Sequence, residues 1–101
     1  MSDVRQRGLD EVPSRRLDAR ARRIRGALTV AGPENAFELS ETAELIFRSA
    51  NGKRTVSEIG AIVAERYDVD AGTAAADALE LLAQLEREGA IEWRDGAGGA
   101  A

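Results

Sequence analysis

Residues 32–70 read GPENAFELSETAELIFRSANGKRTVSEIGAIVAERYDVD. Within that stretch the hydrophobic period changes from the two-residue alternation of a strand to the 3.6-residue repeat of a helix. In Asn35-Ala-Phe-Glu-Leu39, Phe37 and Leu39 share one face and Ala36 and Glu38 the other, which predicts a short strand. Ser40 follows as an N-cap, with Glu41 and Glu44 placed to complement the positive end of a helix. Over 41–50 the apolar residues Ala43, Ile46, Phe47 and Ala50 fall at i, i+3, i+4 and i+7, so they line one helical face. Asn51-Gly52 stops that helix. Thr55-Val-Ser-Glu58 is a capping box that opens a second helix, whose core face is Val56, Ile59, Ile62 or Val63, and Tyr67.

Outward from this stretch the pattern is less regular. Residues 1–14 lack periodicity and reach Pro13, which predicts a flexible N-terminal extension. A strand near 19–25 and another over 27–31, joined at Gly26, precede the Gly32-Pro33 turn. On the other side Asp70 caps a third helix that runs to Glu88 and is closed by Gly89. Ala90-Ile-Glu-Trp93 reads as a closing strand, and residues 94–101, rich in Gly and Ala, as a flexible tail. The fold class is therefore α+β, with a folded domain over 15–93 made of three strands followed by three helices and the closing strand.

Composition narrows the chemistry. The 101 residues allow one compact core, and 44% apolar with 32% charged residues is ordinary for a globular chain. Cysteine and histidine are both absent, which removes disulfides, thiolate nucleophiles, the commonest general base and the commonest zinc ligands together. No cofactor or metal site is expected. Carboxylate pairs such as Glu41/Glu44 and Glu86/Glu88 read as helix-start and solvated-face residues, so an enzyme is not expected either. No apolar run approaches a membrane span or a signal sequence, which predicts a cytoplasmic protein. Charge is unevenly spread: residues 1–26 hold eight arginines against four acids, and the remainder six basic against fourteen acidic residues.

The helix over 71–88 carries more apolar surface than one packing contact requires. With Ala78 as reference, Ala71, Leu82 and Leu85 fall within about 40° of it, Leu81 and Ala74 flank one side, and Ala75, Leu79 and Ala83 extend the other. The arc of roughly 200° exceeds the stripe of about 100° that a surface helix needs. Either the N-terminal strands cover the Leu79/Ala83 edge, or that edge belongs to a groove for a partner.

The order of Leu39-Ser40, Thr42-Ala43, Asn51-Gly-Lys-Arg-Thr-Val56, Ile59, Tyr67 and Glu88-Gly-Ala-Ile91 resembles the pyrroloquinoline quinone biosynthesis protein D family over about residues 17–92. Ser40 stands where that family commonly has Asn, and the second strand is short. The resemblance implies a three-stranded antiparallel sheet followed by three helices, in a winged helix-turn-helix-like arrangement, and a peptide chaperone. It would bind the leader of a ribosomally made precursor peptide and present it to a modifying enzyme, often of the radical S-adenosylmethionine type. It also implies where the leader sits: added as a strand beside the third strand, in a cleft bounded by the third helix. On this chain the cleft maps to Asn35, Ala36, Phe37, Glu38 and Leu39 on one side and Leu79 and Ala83 on the other.

A winged-helix DNA-binding regulator is the alternative. Residues 70–88 hold five acids and one base, Arg87, which opposes phosphate binding through that helix. The arginines of 1–26 keep this alternative open, since a basic arm can grip a phosphate backbone without a basic helix; they also read as a solvated, edge-protecting strand, or as an arm that docks an acidic partner enzyme.

Overall fold

The computed structural model describes residues 8–32 and 36–94. Five strands and three helices follow a helical turn at residues 8–10: β1 (Val12–Arg15), β2 (Arg20–Ile24), β3 (Ala27–Ala31), β4 (Ala36–Glu38), α1 (Glu41–Ser49), α2 (Val56–Tyr67), α3 (Ala71–Arg87) and β5 (Ile91–Arg94). The three-stranded antiparallel sheet has the order β2-β3-β4, and the three helices follow it as the sequence predicts. β2 and β3 meet at Arg25 and Gly26, both with positive φ (56° and 86°), the two-residue turn whose twist matches that of the flanking strands.

The N-terminal expectation is corrected. Residues 12–14 are not part of a flexible extension: with Arg15 they form β1, antiparallel to β5, with Val12 opposite Arg94 and Arg15 opposite Ile91. Pro13 is fully buried there. It lacks a donor, so it can sit in a two-stranded sheet without wasting a hydrogen bond. Its carbonyl accepts from Gly52 N–H at 2.9 Å, Arg15 N–H donates to the Ala50 carbonyl at 3.1 Å, and Val56 N–H donates to the Glu11 carbonyl at 3.1 Å. These partners lie some forty residues away in sequence, which is why no local periodicity announced the strand.

The helices begin where their caps are. Ser40 Oγ accepts from Ala43 N–H at 3.1 Å, and Asp70 accepts from Thr73 N–H at 2.9 Å. The Thr55/Glu58 box is reciprocal, with Glu58 N–H to Thr55 Oγ1 at 3.1 Å and Thr55 N–H to Glu58 Oε1 at 2.9 Å. Val30, Ile46, Phe47, Val56, Ile59, Val63, Leu82, Leu85 and Ile91 are buried in one core. Of Ile62 and Val63 it is Val63 that joins the core face of α2, with Ile62 only half-buried, and Tyr67 is exposed rather than packed. α2 and α3 cross closely: a Cβ on Gly60 would stand 2.6 Å from Ala75 Cα. Trp93 Nε1 donates to Glu86 Oε1 at 2.8 Å and ties β5 to α3.

Candidate functional site

β4 ends at Glu38 because the chain is anchored and then turned there. Leu39, immediately after it, is buried in the core, and its N–H donates to the Leu28 carbonyl at 2.8 Å. Ser40 then turns the chain into α1 as its cap. The register pairs Thr29 with Glu38, Val30 with Phe37 and Ala31 with Ala36. In an antiparallel ladder the main-chain groups of successive residues point alternately toward and away from the neighbouring strand. Since Leu39 turns its amide inward to β3, Phe37 does so too, and Ala36 and Glu38 turn their N–H and C=O groups to the opposite side. Among the described residues no strand pairs with that side of β4.

The structure thus gathers Ala36, Phe37 and Glu38 on one open edge. Ala36 and Glu38 are exposed, and Phe37, half-buried, lies on the core face opposite the fully buried Val30. Leu39 contributes differently from its neighbours: with side chain and amide both engaged, it anchors the strand. Asn35 lies outside the described residues.

Leu79 and Ala83 are half-buried on α3. The side chain of Leu79 lies beneath the N-terminal turn, with Cδ2 2.9 Å from the position that a Cβ on Gly8 would take. Ala75, one turn earlier on the same flank, meets α2 at Gly60. Of the surplus apolar edge, Leu79 is therefore met by the turn at Gly8, an element with no signal in the sequence, while Ala75 beside it is met by α2.

An ion pair links the sheet that carries the edge to α1. Arg23 projects from β2 and pairs with Glu44 of α1, Nη2 to Oε2 at 2.6 Å, while Arg48 reaches the same oxygen at 3.4 Å. The hydrogen bond from Arg23, seconded by Arg48, holds the Glu44 carboxyl below its usual range. Arg16 does the same to Asp18, with Nε to Oδ1 at 2.9 Å. Both lowered carboxyls thus belong to surface ion pairs. Among the described residues there is no group of three or more carboxylates that could hold a metal ion, and no helix is long and apolar enough to cross a membrane.

The family model of coenzyme PQQ synthesis protein D (PqqD) matches residues 27–91, the span from β3 to the start of β5. The chain belongs to the PqqD family. It is 31% identical over 81 residues to the PqqA binding protein of Xanthomonas oryzae pv. oryzae, covering 78% of this chain and 88% of that one. It is 32% identical over 69 residues to the bifunctional coenzyme PQQ synthesis protein C/D of Methylorubrum extorquens, covering 68% of this chain but only 18% of that much longer protein. A PqqD-like fold is also seen in solution: the PqqD truncation of Methylobacterium extorquens PqqCD, described as a functional, stand-alone recognition element for ribosomally synthesised and post-translationally modified peptides, superposes with a TM-score of 0.67. That match has 31% identity and covers 84% of this chain and 92% of the other.

Proposed function

We propose that this PqqD-family chain is a peptide chaperone. It takes up the leader of a ribosomally made precursor as an added strand on β4 and presents it to a modifying enzyme of the radical S-adenosylmethionine type. The observation that carries this reading is the outward pair of main-chain groups at Ala36 and Glu38 on an edge whose other side is locked to β3. An extended peptide can pair with such an edge with little demand on its sequence.

Magnitudes decide what else is needed. Four outward main-chain groups at about 0.5–1.5 kcal/mol net each offer about 2–6 kcal/mol. Ordering five peptide residues costs about 5–10 kcal/mol of backbone entropy. Main-chain pairing alone therefore does not bind; apolar side chains of the leader must be covered as well. Phe37 supplies apolar surface on the core face of the edge, and Glu38, exposed on the opposite face, favours a basic leader residue beside it. Leu79 and Ala83 remain proposed leader contacts on α3, and since Leu79 now lies under Gly8, that role requires the N-terminal turn to yield. Leu79→Glu checks it: leader affinity should fall by more than the stability does, and the reverse outcome assigns Leu79 to the core.

The chain is a recognition element in this reading, without catalysis of its own, and acts in the cytoplasm, where its ribosomal substrate is made. The regulator alternative gains no support from α3, because Asp77 and Glu80 are exposed on it and would face the phosphates. A search beside its gene for a short precursor open reading frame, followed by titration of the protein with that precursor, tests the proposal. Saturable binding that perturbs the amides of residues 36–38 is expected, and absence of binding at high micromolar peptide refutes it.

A further inference from the structure

The sheet has a second exposed surface, its outer face, which borders the leader edge only at Ala36 and Glu38. Arg20, Arg22 and Ile24 of β2 point to the face away from the core, because Ala21 and Arg23 alternate to the other side and Arg23 reaches α1. Across the sheet the register places Ala31 and Ala36 beside Arg20, and Thr29 and Glu38 beside Arg22. The result is a hollow of about 580 Å³ with a floor of Thr29, Ala31 and Ala36 and a wall of Arg20, Arg22 and Ile24. Arg20 and Arg22 have no ion-pair partner among the described residues, in contrast to Arg16 and Arg23. Ile24 is 46% exposed.

Edge protection accounts for arginines on β2. It does not account for the floor. A solvated sheet face ordinarily carries polar side chains alternating with the core residues, yet here the centre of the face is alanine and threonine, flat enough for another element to lie about 10 Å above it. The basic wall selects the sign of that element, and Glu38 on the far rim repels an acidic row from that side. An acidic row can therefore lie only along β2.

We infer that this outer sheet face is a docking surface for an acidic amphipathic helix of a protein partner. Five strand residues span about 17 Å, which accommodates about three helical turns. The footprint, on the order of 200–300 Å², is well below the roughly 800 Å² per partner of a stable complex. The contact is thus weak and transient on its own. Its partner binds on a different face from the β4 edge, so both can be held at once. The inference does not depend on what β4 binds.

The test uses the full chain, ¹⁵N-labelled, and an acetylated, amidated helix-forming peptide of about 18 residues made of Ala, Leu and Glu with the leucines on one face. The expected result is saturable binding with amide shifts concentrated in residues 19–31 and at Ala36. Affinity should fall at least tenfold in Arg20→Glu/Arg22→Glu, a variant of two exposed side chains whose fold is checked by circular dichroism. Ala31→Glu, which alters the floor and leaves the wall intact, should weaken binding as well and gives a second, independent reading. Equal binding of the Lys-for-Glu peptide, or shifts centred on residues 37–39 and α3, overturns the proposal. Equally tight binding of an oligothymidylate, insensitive to Ala31→Glu, assigns the face to polyanions and also overturns it. So does a dimer in sedimentation equilibrium that the double arginine variant abolishes, which would give the face to a second copy of the chain.

Discussion

Glu38→Pro separates peptide binding from folding at a single backbone atom. In the register of β4 the Glu38 N–H points away from β3, so its loss removes no ladder bond. Proline is tolerated at an edge whose N–H side faces solvent, and the preceding Phe37 is already extended, as a residue before proline prefers. The stability cost is expected to be below about 1 kcal/mol. A peptide strand on this edge loses one hydrogen bond, worth about 0.5–1.5 kcal/mol net, and is pushed off the neighbouring carbonyl by the ring. The combined loss is about 1.5–3 kcal/mol, or about 10–150-fold in Kd. Phe37→Pro is the counter-case: its N–H faces Val30, so that variant breaks the ladder and withdraws a half-buried ring. It should unfold the protein before binding can be measured. The assay is fluorescence anisotropy with labelled leader peptide, alongside thermal melts followed by circular dichroism; Ala36→Pro should repeat the Glu38→Pro result. Leader affinity unchanged in both Glu38→Pro and Ala36→Pro, with unchanged melts, would refute strand addition at β4.

Other consequences concern stability. Gly60→Ala forces a methyl against the Ala75 backbone, an overpacking that costs about 1–3 kcal/mol; at about 4–8 °C per kcal/mol for a domain of this size the melting temperature should drop by at least 4 °C. Thr55→Ala removes the acceptor of the Glu58 N–H and should cost about 1 kcal/mol, read from urea denaturation at unchanged m-value. Acid should destabilise the fold in a definite direction. Glu44 and Asp18 have folded pKa values below their unfolded ones, so their contribution is complete above the ordinary carboxylate range and is lost as pH falls through the folded values. Melting curves of Glu44→Gln should therefore decline less steeply than those of the parent protein below about pH 4.5; parallel declines would mean the Arg23 pair contributes nothing.

Local chemistry was enough to determine the elements from β2 to β5. The Thr55/Glu58 box, the Ser40 and Asp70 caps and the turn at Gly26 act over three or four residues, so reading them requires no knowledge of the fold. The same holds for the alternation that separates Phe37 and Leu39 from Ala36 and Glu38, which fixed the faces of β4. Tertiary structure decided what pairs at a distance. Val12–Arg15 is a strand only because β5 and the Asn51-Gly52 loop offer it partners, and Tyr67, apolar and in register, is left exposed because α2 has run past the core by then. The fate of the broad apolar side of α3 was likewise not local. Its periodicity announced more surface than one contact uses, but that Gly8 and α2 meet Leu79 and Ala75 depends on how the chain closes, since hydrophobic burial has no direction of its own and takes whichever neighbour the topology brings.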